Sequence, residues 1–155
     1  MRGIWGSNGR RIKFTNEGGL AVQYYNKTGA ATIKGYCVTV DATTADSVRL
    51  NAIDVPDTIG VFLDSGVPDG QLAWVVVAGR AYAYFWGSTT MGYMARTGLS
   101  ADTGEVAGQA LSEALPTSPF NVDKHFCEIG HCLETRTGPG WLLSICILTK
   151  GQLWV

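Results

Sequence analysis

IGVFLDSGVPDGQLAWVVVAGRAYAYFW, residues 59–86, is the stretch that decides the fold. It contains apolar runs rich in β-branched and aromatic residues, separated by the turn residues Pro68-Asp69-Gly70. Runs of this kind between turn signals predict β-strands. The second run, residues 72–86, has a single glycine near its middle, Gly79.

Gly79-Arg80 admits two interpretations. A glycine at the first of two loop positions is typical of a type II′ hairpin, which would fold residues 72–78 back on residues 81–86. Alternatively, one strand continues through Gly79. The hairpin is the preferred prediction. In both cases each face of the run is apolar, so both faces have to be covered by the core or by a partner.

The chain on either side of this stretch predicts more short strands. Twenty glycines, dispersed singly, indicate many tight turns. Residues 104–115 fit a strand or an irregular segment better than a helix, because two glycines interrupt their helical spacing. The remaining predicted strands are 21–25, 30–40, 48–53, 59–63, 124–135 and 141–148, the last two forming a hairpin. The sequence therefore predicts an all-β protein, a small single-domain β-barrel or sandwich over residues 21–155, preceded by an extended basic N-terminal arm over residues 1–20.

Charge is scarce and unevenly distributed. Charged residues make up 16% of the chain, below the usual quarter, which suits a protein that covers part of its surface with partners. The first sixteen residues carry +4, and the other residues, with eight basic and thirteen acidic side chains, carry −5. A basic arm on an acidic body could bind another acidic surface or a neighbouring copy; a solvated terminus is the simpler alternative.

Features of secreted and membrane proteins are not found. The N-terminal residues lack the apolar run of a signal peptide, and no stretch approaches the roughly 18 apolar residues of a membrane span. We therefore expect a chain made and folded in a cytoplasm, with no membrane partner. Its four cysteines are then expected to be reduced and mostly buried: Cys37, Cys127, Cys132 and Cys146.

Residues 125–132, HFCEIGHC, contain four side chains that bind zinc in other proteins. On a regularly alternating strand, His125, Cys127 and His131 point to one side and Cys132 to the other. The two histidines then lie about 20 Å apart, too far for one tetrahedral ion. Glu128 and Glu134 are separated by a similar distance, which excludes a glycosidase pair. We expect no metal, no cofactor and no catalytic residue.

Aromatic and basic residues near the termini are the remaining candidates for a functional surface. Gly6-Ser-Asn-Gly9 before Arg10-Arg11 lacks the strand-loop-helix context of a phosphate-binding loop, so no nucleic-acid partner is expected. Trp and Tyr are favoured anchors at protein interfaces, and a single domain has difficulty burying those in its terminal segments. The predicted interface residues are Trp5, Arg10, Arg11, Phe14, Tyr24, Tyr25 and Trp154.

The order of the segments resembles the capsid decoration (cement) proteins of tailed bacteriophages. The resemblance covers about residues 24–148, and each motif is unspecific by itself, so the order carries the likeness. The motifs are NKTG (26–29) leading to KG (34–35), IGV (59–61), VVVAGRA (75–81), a segment centred on Gly92, GEVAG (104–108), IGHCLE (129–134) and a closing apolar strand.

The resemblance implies a structural protein rather than an enzyme. Members of that family bind the outside of the capsid, often as trimers, and stiffen it. The implied partners are the major capsid protein and further copies of the chain, as a homotrimer, and the implied location is the capsid surface of a virion. The basic arm and the four cysteines depart from the family pattern.

Two other classes of protein stay open. The chain could be a tail, tail-fibre or head-fibre component of the same virion. It could also be a small hydrolase or a sugar-binding module, which would need a pocket that joins a carboxylate to an exposed aromatic ring.

Overall fold

The computed structural model describes residues 4–5, 11–98, 104, 106–115, 127–138 and 141–149. Within these residues the chain forms eleven strands and no helix, so the all-β prediction is confirmed. No helix capable of spanning a membrane occurs among them. The strands are β1 (Ile4–Trp5), β2 (Arg11–Phe14), β3 (Gly19–Asn26), β4 (Cys37–Val40), β5 (Ser47–Leu50), β6 (Gly60–Phe62), β7 (Leu72–Trp86), β8 (Met94–Thr97), β9 (Ala110–Glu113), β10 (Glu128–Cys132) and β11 (Trp141–Leu148).

The strands form one sheet that closes on itself twice. The first ring runs β3-β5-β4-β6-β7 and returns to β3. The second ring runs β7-β11-β10-β8-β9 and returns to β7. In each ring one pairing is parallel, β3 with β5 and β7 with β9, and the others are antiparallel. Of the two architectures predicted, closed rings correspond to the barrel.

Strand β7 is shared by both rings and is continuous over 15 residues. Its first half pairs with β3 and β6, and its second half pairs with β11, from Trp86 opposite Trp141 to Gly79 opposite Leu148. The predicted hairpin at Gly79-Arg80 is therefore wrong, and the alternative of one strand through Gly79 is correct. The two halves do not pair with each other because each finds a longer complementary strand elsewhere in the chain.

Gly79 supplies a close approach instead of a turn. Its φ is +79°, and a Cβ atom there would lie 2.6 Å from the carbonyl oxygen of Gly18. Only glycine combines this backbone conformation with that contact. One extra residue in β7 also sits between the pairs Leu20–Ala78 and Ala21–Val76, which is a β-bulge. The long strand bends here and passes from one ring to the other.

Each ring has a buried apolar core to which all of its strands contribute. In the first ring Tyr24 of β3 packs against a buried cluster formed by Val38, Val48, Phe62, Ala73 and Val75. The core of the second ring extends into the first, because Ala21, Cys37, Val61 and Val76 belong to the same cluster as its own members. Those members are Ala81, Ala83, Phe85, Ala95, Ala110, Ile129, Cys132, Leu142, Cys146 and Leu148. The rings thus form one body.

The segment before β4 ties the two rings together. Residues 30–40 were predicted to be strand, but only Cys37–Val40 is β4. Gly35 lies across β7: its carbonyl accepts a hydrogen bond from the Tyr84 amide (2.9 Å) and its amide donates to Phe62 (2.8 Å). The strand begins later than predicted because Thr32 hydrogen-bonds the loop at residues 64–67 instead of a neighbouring strand.

A second local departure occurs in β10. Regular alternation was predicted for residues 124–135, but a register shift lies between Glu128 and Gly130. On a regular strand Ile129 and Cys132 would point to opposite faces. Because of the register shift, both side chains enter the core. Gly130 lies so close to β11 that a Cβ would meet the Ile147 carbonyl oxygen at 1.8 Å. The C-terminal hairpin of β10 and β11 is confirmed, as is the strand interpretation for residues 110–113.

Residues of the predicted N-terminal arm are extended and join the sheet. β1 pairs with β2, and β2 pairs with β3 through Ile12–Val22, Lys13–Ala21 and Phe14–Leu20. Further along the same edge of β3, at Tyr25 and Asn26, the pairing partner is β5 instead of β2. The β1–β2 ribbon therefore branches from the first ring. The division into an arm and a domain stays a prediction.

Candidate interaction surface

One face of β2, β3 and β7 collects basic, aromatic and aliphatic side chains. Residues paired across antiparallel strands share a face, and alternate residues along a strand do so too. The pairs Lys13–Ala21, Gln23–Trp74 and Tyr25–Leu72 place these strands in register. We call the set of six residues that follows the basic–aromatic face: Arg11, Lys13, Gln23, Tyr25, Leu72 and Trp74.

The basic–aromatic face is partly exposed: Arg11, Tyr25 and Leu72 are exposed, the other three residues are half-buried, and a cation–π contact joins Lys13 to Trp74. Lys13 Nζ lies 4.3 Å from the centre of the Trp74 ring. This contact holds the ammonium group over an apolar surface and is worth about 0.5–1 kcal/mol at an exposed site. Tyr25 and Leu72, a cross-strand pair, are 41% and 43% exposed. The face therefore offers a positive edge beside apolar area, the combination that suits an acidic partner with an apolar centre.

A cleft of about 430 Å³ adjoins this face at the end of β2. Phe14, 64% exposed, lies on one side of it, with Glu17 and Asp64 also in its wall. Lys13 borders both the cleft and the basic–aromatic face. The cleft thus joins carboxylates to an exposed aromatic ring. We call it the Phe14 cleft.

The structure brings together some of the predicted interface residues. Arg11 and Tyr25 lie on the basic–aromatic face, and both make contacts within the protein. Phe14 alternates with Lys13 on β2, so it is not part of that face, and it borders the Phe14 cleft. Arg10, Trp154 and the side chain of Trp5 lie outside the described residues. The interface role of the whole set stays a prediction.

Tyr24 differs from the others in its surroundings. It alternates with Tyr25 on β3 and packs against the core of the first ring. Lys13, Gln23, Leu72 and Trp74 were not among the predicted interface residues. In the sequence Lys13 is notable only for its charge, and the predicted hairpin gives residues 72–78 a different partner strand. The β3–β7 register, which has no local signal, is what brings these residues together.

The histidine and cysteine cluster is dispersed by the fold. Cys127, Cys132 and Cys146 are buried free thiols, and His131 is 39% exposed on the opposite side of β10 from Cys132. Burial raises the pKa of the Cys132 and Cys146 thiols, which keeps them protonated and poor ligands. Among the described residues no three His, Cys, Asp or Glu side chains are arranged to hold a metal ion, and His125 lies outside them.

The two carboxylates of this region have local partners. Glu128 Oε1 lies 3.6 Å from His131 Nδ1. Glu134 Oε1 accepts hydrogen bonds from the Ile145 amide (2.8 Å) and from the Ser144 hydroxyl (3.3 Å). Glu134 thereby fastens the loop after β10 to β11. The Glu134 contacts hold the backbone of β11, and the Glu128–His131 contact lies within β10.

Comparison with known proteins gave a likeness in fold. No family model matches the chain, and no curated protein sequence matches it. Among solved structures, the crystal structure of the head fibre gp8.5 N base of bacteriophage phi29 matches with a TM-score of 0.51 and 13% sequence identity. The match covers 87% of this chain and 98% of that one. The chain is therefore similar in fold to nearly the whole of that module.

Proposed function

We propose that the chain is a structural protein of a bacteriophage virion, located at the surface of the head. The observation that carries this proposal is the fold likeness to the base of a phage head fibre over 87% of the chain. The order of sequence motifs, which resembles phage decoration proteins, supports the same class of protein.

At the head surface, the chain would bind the major capsid protein and bridge neighbouring capsid subunits. We expect it to do so as a homo-oligomer, with a trimer as the favoured form. The basic–aromatic face suits this task because it combines the charges of Arg11 and Lys13 with the exposed pair Tyr25 and Leu72. Several such weak contacts in one oligomer multiply the affinity without a strong individual site.

A second candidate is the base of a head fibre. The likeness to the phi29 gp8.5 N base favours it, because the match covers 98% of that module. In this case the chain would attach further fibre segments to the head rather than cover the capsid lattice. Both candidates place the protein on the particle, and they differ in copy number.

The test is the copy number of the chain in purified particles of the virus that encodes it, measured by quantitative mass spectrometry against the major capsid protein. Copies that scale with the number of capsid subunits support decoration, and removal of the protein should then lower the temperature at which capsids rupture. A small fixed number of copies supports the fibre base. Absence from particles would overturn the proposal in both forms.

A further inference from the structure

The Phe14 cleft has the chemistry of a ligand site that a purely structural role does not use. An aromatic side chain that is 64% exposed lies beside a cleft of about 430 Å³. A solvent-exposed ring face costs free energy unless something covers it, and a volume of this order accommodates a small ligand. Phe14 is the last residue of β2, so its aromatic side chain is held by a strand of the sheet and not by a free loop.

Polar groups in the cleft wall are available to a ligand. Asn16 and Glu17 belong to the turn between β2 and β3, and Asp64 follows β6. Within the described part of the chain, none of these three side chains forms a hydrogen bond. They provide two carboxylates and one amide, groups that accept hydrogen bonds from hydroxyls, and the amide also donates.

The charges around the cleft are balanced. Lys13, Lys34, Glu17 and Asp64 all border it, two cations and two anions. The two ammonium groups lie over aromatic rings, Lys13 over Trp74 at 4.3 Å and Lys34 over Tyr82 at 4.9 Å. A ligand with a net charge would meet repulsion as well as attraction here. A neutral ligand with many hydroxyl groups would meet no net charge, and the Asn16 amide and the two carboxylates could bond its hydroxyls.

We propose that the Phe14 cleft binds a neutral carbohydrate. The apolar C–H face of a pyranose ring would stack on Phe14, as apolar surface on an aromatic ring, while its hydroxyls bond Asn16, Glu17 and Asp64. This inference goes beyond a structural role on the virion and is independent of it, because it concerns the isolated chain. It predicts that the protein contacts a glycan in addition to the capsid.

The experiment uses the full purified chain and a panel of neutral oligosaccharides built from glucose, galactose, mannose and N-acetylglucosamine. Saturation-transfer NMR detects binding, and calorimetry measures the affinity. At least one oligosaccharide should bind. Phe14→Ala should then weaken binding about tenfold or more, the loss of one aromatic contact, whereas Phe14→Trp should retain or strengthen it. Met91→Ala is the matched control, since Met91 is 67% exposed and lies outside the cleft.

Four results would overturn the proposal. These are no binding of any neutral oligosaccharide, binding of charged oligosaccharides alone, equal losses for Phe14→Ala and Met91→Ala, and a Phe14→Ala variant that changes the oligomeric state but not sugar binding. Thermal unfolding of each variant checks that the fold is intact, which is expected because both side chains are exposed. Copy number in particles is a separate measurement, so failure here leaves the virion proposal untouched.

Discussion

Gly19 and Gly79 lie opposite each other in the β3–β7 ladder, at the point where β7 leaves the first ring and enters the second. Neither position has room for a side chain. A Cβ on Gly19 would lie 2.5 Å from the Arg80 carbonyl oxygen, and one on Gly79 would lie 2.6 Å from that of Gly18. The two backbones therefore touch at the junction, and this contact fixes how the rings meet.

Gly79→Ala should destabilise the protein more than Gly66→Ala. Both glycines have positive φ, +79° and +87°, so both variants pay the backbone strain of about 1–2 kcal/mol. Gly66 has open space around it, whereas an alanine at position 79 also has to displace the Gly18 backbone. We expect a total loss of about 3 kcal/mol or more for Gly79→Ala. Urea unfolding measures both, and equal losses would show that the close approach is unimportant.

This junction also explains which part of the fold could be predicted. The runs and turns of residues 59–86 were enough to predict strands, since they depend on neighbouring residues. The Gly79-Arg80 hairpin failed because a local signal for a turn competed with β3 and β11, which are distant in sequence and pair with β7 over its whole length. Closure into two rings depends on such distant pairs and has no local signal.

Asn26 should be a strong stabiliser of the first ring. Its side chain is fully buried, and Nδ2 donates to the carbonyls of Ala30 (2.7 Å) and Val67 (3.0 Å) while Oδ1 accepts from the Thr28 amide (3.1 Å). Asn26→Ala should cost about 3 kcal/mol, because it leaves buried backbone groups without partners.

Asn16→Ala is the control for this prediction. Asn16 is exposed, and its loss should change the free energy of unfolding by no more than about 0.5 kcal/mol. Asn26→Asp adds a second check, since a carboxylate retains the acceptor but loses both donors and faces two carbonyl oxygens. Its destabilisation should grow as the pH rises above about 4, where an unfolded aspartate ionises. Similar stabilities for the Asn26 and Asn16 variants would contradict the role assigned to Asn26.

Cys146 should make the protein less stable at alkaline pH. Burial raises the pKa of its thiol in the folded state, with the nearby Cys37 and Cys132 thiols adding to the shift. In the unfolded chain the thiol ionises near its ordinary pKa of about 8.5, so above that pH unfolding releases a proton. The free energy of unfolding should then fall by up to about 1.4 kcal/mol per pH unit from this group.

The measurement is denaturant unfolding between pH 7 and pH 10.5 for the wild type and Cys146→Ala. The variant is expected to be less stable at neutral pH, because it loses buried volume, but to have a shallower decline above about pH 8.5. Parallel curves would show that Cys146 is not the titrating group. Thiol-alkylating reagents provide an independent readout: the native protein should react with them slowly at Cys146, and the unfolded protein rapidly.

The candidate interaction surface could be predicted only in part, because, as for β7, it depends on pairing between strands that are distant in sequence. Arg11 and Tyr25 were found from residue type and position in the chain. Trp74 and Leu72 required the β3–β7 register, which places them beside Gln23 and Tyr25. The Phe14 cleft joins a turn after β2 to a loop after β6, and no spacing in the sequence indicates that these segments meet.

Charges on the basic–aromatic face should contribute to particle binding if the proposed virion role is correct. The double variant Arg11→Met and Lys13→Met removes two positive charges while keeping long apolar side chains, so the packing over Trp74 is retained. Its affinity for particles that lack the protein should fall by about an order of magnitude at low ionic strength. The difference should shrink as salt is added, because exposed charges are screened. The control Arg80→Met removes an exposed charge from the second half of β7, outside the six residues of this face, and should bind as the wild type does. If the double variant also binds like the wild type at every salt concentration, the contact with the particle involves another surface of the molecule.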